Sequence, residues 1–276
     1  MMATGRDEER CRVMQSWENP AKDYASKMLV SVPPETPLTR VQEVLDAHQI
    51  TAVPVIDARG ALCGIVSSTD LLRVARIEMQ SPRSMARMWP GPHLAKDVMR
   101  GDVVTIDEAA PLRDAAAKMV ERRIHRVVVT RAGRASAVLS TRDAMRAILE
   151  ARVTDPVSRV MQTDLATVDI GESIDVAVGR LTDESVRGLV VVDEGFPVGV
   201  FTQREAIQAR ALPAAFRKTP VEQIMSYETI CHDAATPLYR VAGQALGMNV
   251  RRILVVDGRR LVGIATGFDL ARYMTL

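Results

Sequence analysis

A hydroxyl residue followed three positions later by an acid occurs four times in this chain, each time after a short apolar run. The four phrases are GIVSSTD from Gly64, AVLSTRD from Ala137, GVFTQRE from Gly199 and GIATGFD from Gly263. Side chains of these types exchange hydrogen bonds with backbone N–H groups or with a bound polar molecule. The spacing is that of a capping box, in which the hydroxyl and the acid satisfy free N–H groups at a helix start. We therefore expect a helix to begin in each phrase.

Cationic side chains are distributed unevenly among the four copies. At the start of the main apolar run, the aligned positions are Thr51, His125, Arg187 and Arg251, followed by Ala52, Arg126, Gly188 and Arg252. Directly before the acid they are Thr69, Arg142, Arg204 and Phe268. Arginine forms paired hydrogen bonds with phosphate oxygens, so these positions are candidate anion ligands, with solvated surface charges as the alternative. The pattern favours a ligand role for His125 and Arg126 and leaves both roles open for Arg187 and Arg204.

The phrases belong to a longer repeat. A helical pattern precedes each phrase, and in the second copy Leu112, Ala115, Ala116, Met119 and Val120 share one helix face. The β-branched runs AVPVID, VVVT, LVVVD and ILVVD follow, and such runs are typical of buried strands. Each copy opens with a short segment, and in three of the four copies this segment contains DVM, RVM or QIM. The order within a copy is therefore predicted as strand, helix, strand, strand, helix.

The repeats define the expected domain organisation. The predicted segments are a tail over 1–19, a first module over 20–150 with units at about 20–78 and 95–150 and a linker over 79–94, and a second module over 151–276 with units at about 156–210 and 220–276. A unit of about 55 residues buries too little surface to be stable alone. We therefore expect the units to stack in pairs.

The composition limits the possible functions. The net charge is +2 and 4% of the residues are aromatic, which disfavours nucleic-acid binding. No apolar run reaches the roughly 18 residues of a membrane span, and the polar N-terminus is unlike a secretory signal. The three cysteines show no paired spacing and the four histidines are scattered, so we expect a cytoplasmic protein without a metal site. No nucleophile–base pair is evident, and we expect no enzymatic activity.

The layout as a whole resembles the CBS domain, here in four copies that form two tandem CBS (Bateman) modules. The resemblance rests on KDVM followed by VVTI, on IHRVVV and on the closing phrase with its hydroxyl and acid, which recur in this order. It implies a mixed α/β (α+β) fold of four βαββα units. The chain is similar to stand-alone bacterial-type CBS proteins, and its four copies and RRIHRVVV are similar to the γ subunit of the AMP-activated kinase.

The resemblance also implies a set of ligand contacts in the clefts between paired units. The ribose would be bound by Ser67, Asp70, Ser140, Asp143, Thr202, Glu205, Thr266 and Asp269. The phosphates would be bound by His125, Arg126, Arg142, Arg187, Arg204, Arg251 and Arg252. The adenine pocket would be lined by Ser31, Thr105, Thr167 and Cys231, which strand packing explains equally well. Glu205 departs from the aspartate usual in the family.

The function that the resemblance implies is regulation without catalysis. Such a protein binds AMP, ADP or ATP in its clefts, needs no cofactor and transmits the occupancy of the clefts to a regulated partner protein. We expect a homodimer that contacts neither a membrane nor nucleic acid. Two alternatives stay open, namely a ligand of the S-adenosylmethionine type and a structural dimerisation module with vestigial clefts.

Overall fold

The repeated sequence pattern produces a repeated fold, and the predicted mixed α/β architecture is confirmed. The computed structural model describes residues 13–74, 76–78, 87–89, 91–183, 188–210 and 212–276. These residues form two compact units. The small unit contains Ala21–Ala110 and Arg126–Leu139, and the large unit contains the residues up to Pro20 together with Pro111–His125 and Ser140–Leu276. The predicted division into modules at 20–150 and 151–276 stays a prediction.

The small unit contains the first repeat and most of the sheet of the second. Its helices are α1 (Ala21–Tyr24), α2 (Leu38–Ala47), α3 (Ser68–Val74) and α4 (Ala95–Val98). Its strands are β1 (Ala52–Ile56), β2 (Leu62–Ser67), β3 (Arg76–Glu78), β4 (Arg87–Trp89), β5 (Thr105–Asp107), β6 (Arg126–Arg131) and β7 (Arg134–Ser140), whose last residue belongs to the large unit. Strands β1 and β2 are antiparallel, β3 pairs antiparallel with β4, and β6 lies between β5 and β7.

The large unit contains the two ten-residue helices of the second repeat and the complete third and fourth repeats. Its helices are α5 (Leu112–Glu121), α6 (Thr141–Glu150), α7 (Ile174–Asp183), α8 (Gln203–Arg210), α9 (Ala214–Arg217), α10 (Leu238–Gly247) and α11 (Gly267–Tyr273). Its strands are β8 (Thr167–Asp169), β9 (Gly188–Asp193), β10 (Phe196–Thr202), β11 (Thr229–Asp233), β12 (Arg252–Asp257) and β13 (Arg260–Thr266). In both of its sheets the middle strand is parallel to the first and antiparallel to the last.

The helices before the main strands form where the sequence places small and apolar residues on one face. In α5, Leu112, Ala115, Ala116 and Met119 are fully buried, as the helical periodicity predicts. Pro111 precedes this helix with φ of −57°, close to the value that its ring imposes. The same arrangement recurs in α10.

The middle strands are buried on both faces, as their unbroken β-branched runs predict. In β12, Ile253, Leu254 and Val255 have no exposed surface. Burying an aliphatic side chain of this size contributes about 1.5–3 kcal/mol, so these strands anchor the sheets. The loops and helix starts that follow them are thereby held in fixed positions.

Small residues bring α6 close to α10 and α11 within the large unit. A Cβ on Gly243 would lie 3.2 Å from Cδ1 of Leu149, and a Cβ on Gly267 would lie 2.9 Å from Sδ of Met145. The two glycines therefore permit a helix separation that larger residues would prevent. As a result, the start of α6 is fixed beside the fourth repeat.

The predicted tail and linker are described only in part. Residues 13–16 form a helical turn, and Trp17 is buried with its ring edge-on to Tyr273 at 5.7 Å between centroids. The predicted linker over 79–94 includes β4 and residues 91–94, and its other positions lie outside the described residues. Among the described helices, none has the length and apolar character needed to span a membrane.

Candidate functional site

The acid of each phrase binds back to its own hydroxyl residue, and the predicted capping is confirmed. One carboxylate oxygen accepts hydrogen bonds from both the backbone N–H and the side-chain hydroxyl of that residue. The N···O distances are 2.9 Å for Ser67–Asp70, 2.8 Å for Ser140–Asp143, 2.9 Å for Thr202–Glu205 and 2.9 Å for Thr266–Asp269. The matching hydroxyl bonds are all present. Each helix start is thus stabilised within a single turn.

The four acids are buried, so the hydrogen bonding of the second carboxylate oxygen of each affects the stability of the fold. Their exposed fractions are 5% for Asp70, 8% for Asp143, 5% for Glu205 and 0% for Asp269. Burial raises the pKa of the Asp143 carboxyl, although hydrogen bonds from Ser140 and the charges of Arg146 and Arg142 oppose that rise. A buried carboxylate oxygen without a partner is costly, so a donor for it is expected in each copy.

Two of the acids obtain that donor from an adjacent repeat of the chain, Asp70 from the second repeat and Asp269 from the third. Nε of Arg100 donates to Oδ1 of Asp70 at 3.1 Å. Nε2 of Gln162 donates to Oδ1 of Asp269 at 2.8 Å. In both copies an arginine one helical turn further on also approaches the same oxygen, namely Arg73 at 3.7 Å and Arg272 at 3.4 Å. These two acids therefore have partners on both oxygens.

The other two acids have no such contact with a side chain of another repeat among the described residues. Nη2 of Arg146, from the same helix, lies 3.2 Å from Oδ1 of Asp143. At Glu205 both capping bonds end on Oε2, and Gln208 stands where the other copies have arginine. None of the described residues donates a hydrogen bond to Oε1 of Glu205.

The donors Arg100 and Gln162 occupy equivalent places in what we term the lead-in segments. A lead-in segment is the short stretch before the first strand of a repeat, and its residues at this position are Ser26, Arg100, Gln162 and Ser226. Their backbones pair with Val138, Ile65, Ile264 and Val200 respectively, each two residues before a hydroxyl residue. Arg100, Gln162 and Ser226 exchange two backbone hydrogen bonds with their partners, whereas at Ser26 the N–H of Val138 donates to the side-chain Oγ. Sequence reasoning missed these four residues, although their place directly after Ala25, Met99, Met161 and Met225 could have indicated them.

The predicted adenine-pocket residues share one register of the sheets. Thr105, Thr167 and Cys231 lie opposite Val128, Val190 and Leu254 of the neighbouring parallel strands. Ser31 precedes Val32, whose N–H bonds the carbonyl oxygen of Pro54, the equivalent position. Ser31, Thr167 and Cys231 are exposed and Thr105 is half-buried. Partial burial raises the pKa of the Cys231 thiol.

Four arginines of the large unit, Arg142, Arg204, Arg251 and Arg252, form a cluster in which the charges of the other three act on Arg251. Much of the Arg251 side chain is exposed, yet desolvation of its guanidinium lowers its pKa, and the charges of Arg252, Arg142 and Arg204 lower it further. Desolvation also lowers the pKa of Arg252, against the charges of Glu205 and Glu228. The charge of Glu228 opposes the lowering at Arg251 as well, so two carboxylates offset part of the charge of the four arginines. The group keeps a net positive charge, which attracts an anionic group.

The remaining predicted phosphate residues have the following positions. Nη1 of Arg142 donates to Oδ1 of Asn249 at 2.7 Å, which directs it towards the fourth repeat. The ring of His125 lies edge-on to Phe268 at 5.8 Å between centroids. In the small unit, Nη2 of Arg126 donates to Oγ1 of Thr51 at 2.7 Å. Arg187 lies outside the described residues.

A shallow cleft of about 400 Å³, largely open to solvent, lies beside Glu205. It is lined by Arg204, Glu205, Gln208, Ile224, Met225, Ser226, Tyr227 and Glu228. The cleft thus combines the acid with the free oxygen, one arginine of the cluster and the lead-in segment of the fourth repeat. Within the described residues, no group of His, Cys, Asp and Glu side chains is arranged to hold a metal ion.

The repeated fold and the repeated capped acid define a CBS-type protein. A model of the CBS domain family matches residues 21–76, 95–150 and 157–212, which is more than half of the chain. The chain therefore belongs to the CBS domain family. The fourth repeat lies beyond these matches, and its sheet β11–β12–β13 and capped Asp269 follow the same plan.

Two relatives come from Methanocaldococcus jannaschii. The chain is 21% identical over 270 residues to the uncharacterised protein MJ1225, covering 90% of this chain and 96% of that one. The crystal structure of MJ1225, described as a proposed archaeal homologue of γ-AMPK, aligns with a TM-score of 0.72 at 19% identity over 92% of this chain and 99% of that chain. The uncharacterised protein MJ1404 is 22% identical over 274 residues, or 92% of this chain, and this chain spans 62% of its length.

A third relative comes from Pyrococcus horikoshii. The crystal structure of this uncharacterised conserved protein aligns with a TM-score of 0.66 at 21% identity, over 92% of this chain and 99% of that chain. At such identities the likeness establishes a common fold.

Proposed function

We propose that this chain is a non-catalytic regulatory protein that binds an adenosine nucleotide in the cleft beside Glu205 and transmits its occupancy to a partner protein. The observation that carries the proposal is the free Oε1 of Glu205 next to the cluster of Arg142, Arg204, Arg251 and Arg252. A nucleoside phosphate has hydroxyls for the acid and anionic oxygens for the arginines.

The chemistry of the two halves of the site is complementary. Oε1 of Glu205 accepts a ribose hydroxyl, while Oε2 stays committed to the Thr202 cap. The arginines offer planar pairs of N–H donors to the phosphate oxygens. Because binding of the phosphates also relieves the repulsion among the arginines, we expect AMP, ADP and ATP to bind more tightly than adenosine.

The charge of the cluster distinguishes phosphorylated ligands from S-adenosylmethionine. The sulfonium and amino groups of S-adenosylmethionine are cationic, and the arginines of the cluster repel cations. A nucleotide is therefore favoured for this cleft. A cytoplasmic location and assembly into a homodimer are parts of the same proposal, and sedimentation equilibrium tests the second.

Titration calorimetry of the purified chain with AMP, ATP, adenosine and S-adenosylmethionine tests the proposal. Glu205→Gln keeps an acceptor oxygen for the cap and replaces the free acceptor by a donor, so we expect roughly ten- to a hundredfold weaker AMP binding. Glu222→Gln makes the same charge change at an exposed glutamate outside the cleft lining and is the matched control.

Each alternative function has its own result. Tightest binding of S-adenosylmethionine would identify that ligand class instead. Absence of heat and of thermal stabilisation with all four compounds would identify a structural module with vestigial clefts. Turnover of ATP or AMP by the purified chain would contradict the proposed lack of catalysis.

A further inference from the structure

We infer that the side chain after the methionine of a lead-in segment decides whether the facing acid can bind a ligand, and that Arg100 and Gln162 close Asp70 and Asp269. This inference rests on the proposed function in one respect: it takes Glu205 as the acid whose second carboxylate oxygen is free to bind a ligand. It assigns unequal roles to copies whose closing phrases are nearly the same.

In the small unit, Arg100 takes the place that a ligand hydroxyl would occupy at Asp70. Its backbone exchanges two hydrogen bonds with Ile65, N to O at 3.0 Å in each direction. This pairing holds its Cα beside the end of β2. Its Nε then reaches Oδ1 of Asp70 at 3.1 Å. With Oδ2 bound by the Ser67 cap, each oxygen of Asp70 already has a donor.

In the large unit, Gln162 does the same at Asp269. Its backbone exchanges hydrogen bonds with Ile264 at 2.8 and 2.9 Å. Its Nε2 donates to Oδ1 of Asp269 at 2.8 Å, while Thr266 binds Oδ2. Asp269 has no exposed surface, so a ligand would have to displace the amide before it could reach the acid.

At the third acid, Glu205, the residue after the lead-in methionine is the short Ser226. We call the residue at this position the gate side chain. Ser226 pairs with Val200 through the same two backbone hydrogen bonds, at 2.8 and 2.9 Å. Its hydroxyl accepts a hydrogen bond from the backbone N–H of Glu228 at 3.2 Å and does not bind Glu205. The backbone register is unchanged, so the third copy differs from the first and fourth in two side chains, Ser226 in the lead-in segment and Gln208 one helical turn after the acid. At Asp70 and Asp269 the lead-in side chain makes the closer contact with Oδ1, at 3.1 and 2.8 Å against 3.7 and 3.4 Å for the arginine.

A donor of the chain and a ligand hydroxyl compete for one oxygen at each of these acids. Arg100 and Gln162 are exposed, but their backbones are fixed by paired hydrogen bonds, so each loses only side-chain freedom on binding its acid, whereas a ligand must lose translational and rotational freedom. The donor of the chain is therefore favoured unless it is removed. We conclude that Asp70 and Asp269 bind no ribose in the wild-type chain, and that serine at position 100 or 162 opens them.

Equilibrium dialysis with radiolabelled AMP counts the sites directly. We expect Arg100→Ser and Gln162→Ser each to add one equivalent of bound AMP per chain relative to the wild type. Arg73→Ser and Arg272→Ser are matched controls, since they remove the other arginine near each acid, and we expect no added equivalent. The reciprocal change Ser226→Gln should abolish the wild-type equivalent at Glu205. Circular dichroism spectra verify that each variant is folded.

The count separates this inference from the proposed function. If the wild type binds AMP and neither serine variant gains a site, the gate is refuted and the proposed function stands. If the wild type binds none and a serine variant binds one, the gate stands and the Glu205 site is refuted. If no variant binds AMP, both are refuted. If Arg73→Ser and Arg272→Ser gain as many equivalents of bound AMP as Arg100→Ser and Gln162→Ser, the role inferred for the lead-in side chains is also refuted.

Discussion

A Cβ atom on Gly263 would lie 2.5 Å from Sδ of Met161, closer than real Cβ contacts come. The lead-in methionine of the third repeat therefore fills the space that a side chain at the start of the fourth closing phrase would need. The aligned pair Gly64 and Met99 has the same relationship, with 2.8 Å between the same atoms. Glycine at this position is required by a close approach.

The lead-in segment of the first repeat and the closing phrase of the second form the matching pair, and both of its residues differ. The closing phrase of the second repeat has Ala137 where the other closing phrases have glycine, and the lead-in segment of the first repeat has Ala25 where the others have methionine. Both alanines are buried, and Ser26, next to Ala25, pairs with Val138, next to Ala137. A larger residue on one side is thus accompanied by a smaller one on the other, because the interior volume is fixed.

Gly263→Ala should destabilise the protein by roughly 1–3 kcal/mol, the usual cost of overpacking a core. Met161→Ala should also destabilise it, by roughly 0.5–3 kcal/mol, because the half-buried side chain loses its packing and leaves a partial cavity. The double variant should lose less than the sum, since alanine fills part of that cavity. Urea denaturation of the four proteins measures the coupling, and strict additivity would show that the two side chains do not compete for space.

Gly179→Ala should have the opposite effect. Gly179 lies within α7, and a Cβ there would meet no atom within 4 Å. Alanine is favoured over glycine in a helix by about 1 kcal/mol, so we expect the free energy of unfolding to rise by roughly that amount. A loss of stability in this variant would mean that the surroundings of α7 are more crowded than the described contacts indicate.

The raised pKa of the Asp143 carboxyl predicts a pH dependence of stability. The folded state holds this proton more tightly than the unfolded state, so its contribution is present at low pH and is lost as pH rises through the folded pKa. Asp143→Asn should therefore become more stable relative to the wild type as pH rises from about 4 towards neutrality. Urea denaturation across this range measures the difference, and Asp114→Asn, at an exposed aspartate, is the control.

His232 predicts a dependence of the opposite sign. Burial lowers the pKa of its imidazole, and its Nε2 is buried without a hydrogen-bond partner. The unfolded state takes up a proton first, so the contribution is present above about pH 6.5 and is lost as pH falls towards the folded pKa. His232→Phe should remove this loss, while His48→Phe at an exposed histidine should not. Equal pH profiles for wild type and His232→Phe would contradict the prediction.

Arg251→Gln should separate the ligand role of the arginine cluster from a structural role. Without ligand, removing one of four like charges should leave stability unchanged or raise it at low salt, because the repulsion is relieved. With ATP, binding should weaken. Thermal denaturation with and without ATP checks both parts, and Arg260→Gln, at an exposed arginine, is the control. A loss of stability without ligand would assign Arg251 to the fold.

Much of this architecture could be predicted from the sequence because its causes are local. The helix face of α5 follows from the spacing of Leu112, Ala115 and Met119. The cap at Asp143 follows from its position three residues after Ser140, since both partners lie within one helical turn. Such short-range relationships repeat wherever the phrase repeats, so four copies could be recognised and aligned without coordinates.

The difference between the four acids was decided by tertiary structure. Arg100 is 30 positions from Asp70, and Gln162 is 107 positions from Asp269. No local pattern links residues at these separations. Their contacts arise because the lead-in backbone pairs with the end of a strand from another repeat. The closing phrase determines that each acid caps a helix, and the local spacing also brings Arg146 to Asp143. The packing of repeats determines that the second oxygens of Asp70 and Asp269 are bound by side chains distant in sequence, because backbone pairing between repeats places those side chains there.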